Sequence, residues 1–265
     1  MLSGAMLGPV TVGGLPTFPI TRRGLAEVML QDCLEARRKG PKFTPRLVFS
    51  SNGQGVALAG RNRAFRDAML QADIIHGDGQ SVVFASKLTR APLPERVATT
   101  DFFHDAAKVA EESGLRFFIL GGSESLNERA VAAIQSLYPA INICGSRHGY
   151  FSVEDEPQVC EEIRSSGTDV LWVGLGKPLQ EFWSVRNRNR LGGVAWVKTC
   201  GGLYSFLVGD SPRAPEIMRR SGFEWLYRVW REPSRLILRY ATTNPYSAYK
   251  LLTQTHTTTV NIPEK

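Results

Sequence analysis

Asp78 stands between Gly77 and Gly79 at the end of the apolar run Ile74-Ile75-His76. A carboxylate held between two glycines at the end of a buried strand is placed to face a ligand, because nothing bulky shields it. Asp-Gly is also a common turn dipeptide, so residues 74–81 by themselves admit both readings. Other strand-like runs end in similar turns: Ser50-Ser51-Asn52-Gly53-Gln54-Gly55, Gly121-Gly122, Gly174-Leu175-Gly176-Lys177-Pro178 and Cys200-Gly201-Gly202. Backbone N–H groups at Gly121-Gly122 suit a phosphate at the start of a helix, yet neither the G-x-G-x-x-G nor the Walker spacing is present, and a plain turn fits equally well. Lys177, Gln180 and Glu181 carry the polar groups that sugar or ribose hydroxyls require; the bland reading makes them the first turn of a helix.

Several classes of chemistry lack their residues. Cys33, Cys144, Cys160 and Cys200 are far apart and show no C-x-x-C spacing, the 4 histidines form no H-E-x-x-H, and no Asp-x-Asp occurs. Neither a metal site nor a cofactor is expected. The formal charge of +7 favours an acidic partner, whether nucleic acid, a phosphorylated substrate or an anionic membrane surface. The start of the chain does not read as a signal peptide, and no window reaches the roughly 18 apolar residues of a spanning helix.

The elements that must position these residues alternate. Thr21 is set to cap a helix over 22–38, followed by a strand at 46–50, a helix at 61–71, a strand at 72–75 and a helix at 81–88. Thr100 is placed to cap a helix running to residue 112, before strands at 115–120, 141–144, 169–174 and 194–199 with helices at 126–137, 156–165 and 180–190 between them. This rhythm predicts an α/β fold with a Rossmann-like, largely parallel sheet and helices on both faces. Turns after such strands gather on one edge, where ligands bind. The expected organisation is a flexible segment over 1–20, a catalytic core over 21–210, a basic helical appendage over 211–253 and a disordered tail over 254–265. The appendage interleaves Arg219, Arg220, Arg228, Arg231, Arg235 and Arg239 with Trp225, Tyr227, Trp230 and Tyr240. That pattern suits a solvated face, base stacking on RNA, or a helix lying on anionic lipid.

Taken together, Asp78-Gly79, Glu95-Arg96-Val97 with Asp101, Gly121-Gly122, His148-Gly149-Tyr150-Phe151, Gly174-Leu175-Gly176 with Pro178 and Gln180-Glu181, Arg213-Ala214-Pro215, Glu224-Trp225-Leu226-Tyr227-Arg228 and Glu232-Pro233 come in the order found in WecG/TagA/CpsF glycosyltransferases, which the chain resembles over residues 47–240. The resemblance implies transfer of a sugar, with inversion, from a UDP-sugar to a polyprenyl-diphosphate-linked sugar in bacterial surface-polysaccharide synthesis. It also implies a peripheral protein on the cytoplasmic face of the inner membrane that needs no metal, with nucleic acid excluded as partner and the oligomeric state open. By position it makes Asp78 the base, Ser50, Asn52, Arg96 and Gln180 pocket residues, and Arg228, Arg231, Arg235 and Arg239 ligands of diphosphate. The turn residues Gly121, Gly122, Gly149, Tyr150, Gly174, Gly176, Lys177, Pro178 and Glu181 become candidates for the nucleotide. Thr99, Leu179 and Leu238 depart from the pattern, standing where Gly, Lys and Arg are usual. A nicotinamide-dependent oxidoreductase and a non-enzymatic membrane- or RNA-binding module are the rival readings.

Overall fold

The computed structural model describes residues 8–231 and 233–257, apart from the side chains of Arg219, Arg220, Arg228, Ser234, Arg235 and Arg239. A hairpin of β1 (Val10–Val12) and β2 (Leu15–Thr17) precedes α1 (Arg22–Lys39), whose first turn is capped by the Thr21 side chain accepting from the Gly24 N–H. Then come β3 (Arg46–Ser51), α2 (Gly53–Arg61), α3 (Arg63–Met69), β4 (Ile74–Gly77), α4 (Gln80–Ser86) and α5 (Thr99–Ser113). The alternation continues through β5 (Arg116–Gly121), α6 (Glu124–Leu137), β6 (Asn142–Arg147), α7 (Glu156–Ser165), β7 (Val170–Gly174), α8 (Leu179–Asn187) and β8 (Trp196–Thr199). Four helices follow: α9 (Leu203–Leu207), α10 (Glu216–Arg220), α11 (Glu224–Arg231) and α12 (Pro233–Thr253).

Strands β3 to β8 form one six-stranded sheet in the order β4-β3-β8-β7-β5-β6, and every neighbouring pair is parallel. Alternate residues bury on opposite faces. Val48, Ile119, Trp172 and Trp196 pack under α1, α5, α6 and α9, while Phe49, Leu120, Val173 and Val197 pack under α2, α3, α7 and α8. A parallel sheet buried on both faces needs such continuous apolar strands, each large side chain contributing about 1.5–3 kcal/mol on burial. The chain leaves β5 towards β6 and β7 towards β8, its neighbour on the other side, so their following loops diverge and leave a crevice beyond the carboxyl ends.

The structure departs from sequence expectation at several places. Residues 51–55, read as a turn, instead open α2: the Asn52 side chain accepts from the Gly55 N–H at 3.0 Å and caps it. Its glycines hid a helix whose Val56, Ala57 and Ala59 are buried. The helix expected over 61–71 breaks at Asn62, which caps α3 through the Phe65 N–H at 3.0 Å. Thr100 is not the cap; α5 begins at Thr99 after Ala98, two residues earlier than that cap implies.

The two ends expected to be unstructured meet. Thr11 and His256 exchange backbone hydrogen bonds of 3.1 and 3.0 Å, and the Gly14 N–H donates to the Gln254 carbonyl at 2.8 Å. Val10, Val12 and Leu15 are buried in the core on the α2 side, which orders that part of residues 1–20. Residues 1–7 and 258–265 of those stretches lie outside the described residues.

The helical region after residue 211 is docked on the core. Helix α12 lies along α2, where Tyr246 Oη donates to the Gly60 carbonyl at 2.9 Å and the Arg61 guanidinium sits 4.5 Å from the Tyr246 ring centroid. Leu251 is buried among Val56 and the hairpin residues. Leu251→Ala should therefore lower stability by about 2–4 kcal/mol in urea unfolding, the cost of a core cavity; an unchanged midpoint would mean that α12 adds nothing to the core.

Candidate active site

A cleft of about 790 Å³ opens at the carboxyl edge of the sheet. One wall is made by strand-end turns bearing Ser50, Asn52, Asp78, Gly174, Gly176, Lys177, Gln180 and Gly201; the other by Glu224, Trp225, Tyr240, Asn244 and Ser247 of the docked helices. The turns converge because parallel strands all end on the same edge. Close packing between them requires glycine at two places. A Cβ on Gly79 would stand 3.0 Å from Asn52, and one on Gly121, whose φ is +125°, would stand 2.4 Å from the Gly174 carbonyl oxygen.

Asp78 is half-buried, directly after β4. Its N–H donates to the Ser51 carbonyl at 2.8 Å, which ties the β3 and β4 turns together. Its carboxylate receives the Thr99 N–H at 3.3 Å and the Thr99 hydroxyl at 3.4 Å. Thr99 opens α5, so Asp78 takes up an N–H that no cap residue satisfies. These bonds are long and leave lone pairs towards the cleft. Arg96 donates from Nε to the Asp78 carbonyl at 2.6 Å and pairs through Nη1 with Glu224 on α11 at 2.8 Å. Nearby, Arg213 makes a two-pronged contact with Asp101 in the first turn of α5, fastening the start of the helical region to the core.

On the other side of the cleft, Lys177 donates to the Ser50 carbonyl at 3.0 Å and to Glu181 Oε1 at 2.9 Å. Gln180 donates to the same Glu181 oxygen at 2.9 Å and accepts from the Gly201 N–H at 3.0 Å. Ser50, Lys177 and Gln180 thus line the cleft while bracing the turns after β3, β7 and β8. Glu181 is fully buried behind them, and Asn52 is engaged as the α2 cap.

The remaining nucleotide candidates divide. Gly174 and Gly176 line the cleft; Pro178, Gly121, Gly122, Gly149 and Tyr150 lie outside its lining. The Gly122 N–H, proposed from sequence as a phosphate donor, is directed at the Gly174 carbonyl at 3.3 Å, and Gly149 donates to the Gly122 carbonyl at 2.8 Å. Asn127, which sequence reasoning passed over, holds this second group of turns by donating to the carbonyls of Ile119, Gly121 and Arg147 at 3.2, 2.9 and 3.0 Å. Arg231 is exposed at the end of α11, and the side chains of Arg228, Arg235 and Arg239 lie outside the described residues. Thr99 and Glu224 also escaped a role in the sequence reading. Thr99 was noted only as a departure, although a threonine at a helix start beside a candidate base was the available signal.

Two further groups are electrostatically plain. Burial, together with the Lys198 and Lys177 cations, holds the His76 imidazole well below its ordinary pKa, so it is neutral. Burial pushes the Cys200 thiol up to about 12. Among the described residues no three His, Cys, Asp or Glu side chains group as a metal ion would require, and no helix is long and apolar enough to cross a membrane.

The model of the Glycosyl transferase WecG/TagA/CpsF family matches residues 10–260. Curated relatives include the N-acetylglucosaminyldiphosphoundecaprenol N-acetyl-beta-D-mannosaminyltransferases of Staphylococcus aureus strains NCTC 8325 / PS 47 and COL, each 32% identical over 192 residues, covering 71% of this chain and 74% of the relative. The protein of the same name from strain MRSA252 matches with the same identity and coverage.

The bracing role of Glu181 has a measurable consequence. Glu181→Gln leaves the Lys177 ammonium without its carboxylate and should cost about 3–5 kcal/mol in urea unfolding, with Lys177→Met added to it recovering part of that loss. Full stability in the single variant would return Glu181 to the list of ligand-facing groups.

Proposed function

Because the chain belongs to the WecG/TagA/CpsF glycosyltransferase family, we propose that it transfers a sugar from a UDP-sugar to a polyprenyl-diphosphate-linked sugar acceptor, with inversion and without a metal ion. The observation that carries this reading is the state of the carboxylates lining the cleft. Among the described residues, Glu224 is ion-paired with Arg96, whereas Asp78 receives only the long hydrogen bonds from Thr99. Asp78 is the group free to take a proton.

In the proposed reaction the acceptor hydroxyl gives its proton to Asp78 while its oxygen attacks the anomeric carbon from the face opposite UDP. The bond from that carbon to the diphosphate breaks, and UDP leaves with the bonding electrons. A single base and cations on the departing diphosphate suffice for such a displacement. Arg96 and the arginines of α11 and α12, Arg228, Arg231, Arg235 and Arg239, are the proposed ligands of diphosphate, which guanidinium groups bind in two-pronged fashion. Arg96 reaches it by exchanging Glu224 for the substrate. The Gly174 to Lys177 turn and Gln180 are the proposed wall for the donor.

The same helices support attachment to a membrane surface. Phe223, Trp230, Ile237 and Leu238 are exposed at 52%, 74%, 55% and 74%, and Arg231 is exposed next to Trp230 in sequence. Apolar and aromatic groups at headgroup depth, with each basic residue adding about 1 kcal/mol near anionic lipid, hold a protein peripherally. We place that surface on the cytoplasmic face, where the lipid-linked acceptor and nucleotide donor meet. The nicotinamide reading loses one of its two supports, since Gly121-Gly122 lies outside the lining of the cleft and only the α/β rhythm is left to it.

The test is a donor screen with UDP-N-acetylmannosamine, its uronic acid and UDP-glucose against a short polyprenyl-diphosphate-linked N-acetylglucosamine, with the product read by mass. One donor should yield a disaccharide; the absence of product with every donor would overturn the reading. Asp78→Asn should lower kcat by about 100- to 10,000-fold while calorimetric UDP binding stays within about threefold. Sedimentation with phosphatidylglycerol vesicles should capture the protein at low salt and release it as ionic strength rises, and Trp230→Ser with Leu238→Ser should weaken capture. Equal capture by neutral vesicles at every salt concentration would remove the electrostatic part of the proposal.

A further inference from the structure

The aromatic residues that interleave with arginine after residue 211 part ways in the fold, and the membrane surface proposed above takes up only some of them. Trp230 is exposed on α11 and pairs with Tyr227, their ring centroids 6.2 Å apart. Trp225 and Tyr240 instead line the cleft. Their ring centroids lie 5.8 Å apart with the planes inclined at 56°, so the pair joins α11 to α12 as a corner and not as a flat stack. Rings that did no more than pack two helices together would be covered. Trp225 is 37% exposed while lining the cleft, which leaves part of its indole open to a ligand.

Helix α12 continues the same wall. Tyr240, Asn244, Ser247, Ala248 and Leu251 all line the cleft, and their helical spacing puts them on one face. The stripe is aromatic at Tyr240, offers an amide and a hydroxyl at Asn244 and Ser247, and ends apolar at Ala248 and Leu251. A flat ring beside hydrogen-bonding groups is the combination that a sugar ring needs. The C–H bonds on a pyranose face carry slight positive charge and meet the negative face of an aromatic ring, while the hydroxyl and acyl groups at the rim require donors and acceptors.

Position decides which sugar such a wall takes. Trp225 follows Glu224, whose carboxylate pairs with Arg96 Nη1 at 2.8 Å, and Arg96 Nε donates to the Asp78 carbonyl at 2.6 Å. An unbroken chain of contacts thus runs from Asp78 to the helix turn that bears Trp225. The turn proposed as the wall for the donor, Gly174 to Lys177 with Gln180, belongs to the other side of the cleft. We propose that Trp225, with Tyr240 and Asn244, forms a subsite for the acceptor sugar, the indole lying under the C–H face of a pyranose such as an N-acetylhexosamine so that one of its hydroxyls is presented to Asp78. This rests on the transfer reaction proposed above and on Asp78 as its base. It gives the docked helices a part in recognising the sugar as well as the diphosphate.

The experiment uses the full-length protein, a UDP-sugar that supports transfer, and a short-chain polyprenyl-diphosphate-linked N-acetylglucosamine. Trp225→Leu keeps an apolar wall and removes the ring; Trp225→Phe keeps a smaller ring; Asn244→Ala removes the amide. Trp225→Leu should raise the acceptor KM about 5- to 30-fold, with kcat and the donor KM each held within about twofold, because the contact is made equally before and during transfer. Trp225→Phe should recover most of that loss, and Asn244→Ala should raise the acceptor KM about 3- to 10-fold. A second measurement needs neither turnover nor a variant: NMR saturation applied to the aromatic protons of the unaltered protein should pass to the C–H protons of the acceptor sugar more strongly than to its isoprenoid protons. An acceptor KM unchanged in Trp225→Leu overturns the proposal. A rise in the donor KM in its place also overturns it and puts the nucleotide on Trp225. If no donor yields product, the proposed function fails on its own, while the saturation measurement still decides the subsite, and no transfer to the sugar protons overturns it.

Discussion

The buried Lys177–Glu181 pair is the contact on which the cleft depends. Lys177 reaches back to the Ser50 carbonyl, Glu181 also receives Gln180, and Gln180 holds the Gly201 N–H. Through these bonds the turns after β3, β7 and β8 move as one body, although each is a loop that would be mobile in isolation. A short buried ion pair is costly to desolvate, and it is retained where its hydrogen bonds fix a geometry that apolar packing leaves loose. Here that geometry is the spacing across the cleft between the Gly174 to Gln180 wall and Asp78.

The opposite wall is fixed differently. Helix α12 packs on α2 through Leu251, Tyr246 and Arg61, and Arg213 fastens the start of the helical region to Asp101. Arg96 closes the arrangement by touching the Asp78 carbonyl at one end and Glu224 at the other. Asp78 is thereby coupled to α11. In the proposed reaction a diphosphate competes with Glu224 for Arg96, which links occupation of the site to α11 through one guanidinium.

Much of this was legible beforehand. Helix α7 begins and ends where its spacing predicts, Thr21 caps α1, and the strand-end turns bearing Ser50, Asp78, Gly174 and Gly201 do gather on one edge. These features rest on local rules, since a cap, a period of burial and the direction of a parallel strand involve residues near in sequence. Helix α2 was missed because its glycines argue for a turn, and only contact with α12, about 180 residues later, makes a small-residue helix the better solution: Tyr246 Oη bonds to Gly60 across |i−j| = 186. The hairpin of β1 and β2 pairs locally, but its bridge to His256 joins it to the far end of the chain, which spacing near Val10 does not announce.

The sequence by itself determined the alternating parallel sheet, the edge on which its strand-end turns gather, and Asp78 as a carboxylate at that edge. Those follow from residue type and short-range spacing. Only the tertiary structure decided which candidates face the cleft: it turned Glu181 into a buried brace, moved Gly121, Gly122, Gly149 and Tyr150 outside the lining, and brought Thr99, and Glu224 through Arg96, to Asp78. The reason is physical. Whether a polar group serves a ligand or another side chain depends on which partners reach it first, and those partners come from strands and helices that the fold alone makes neighbours.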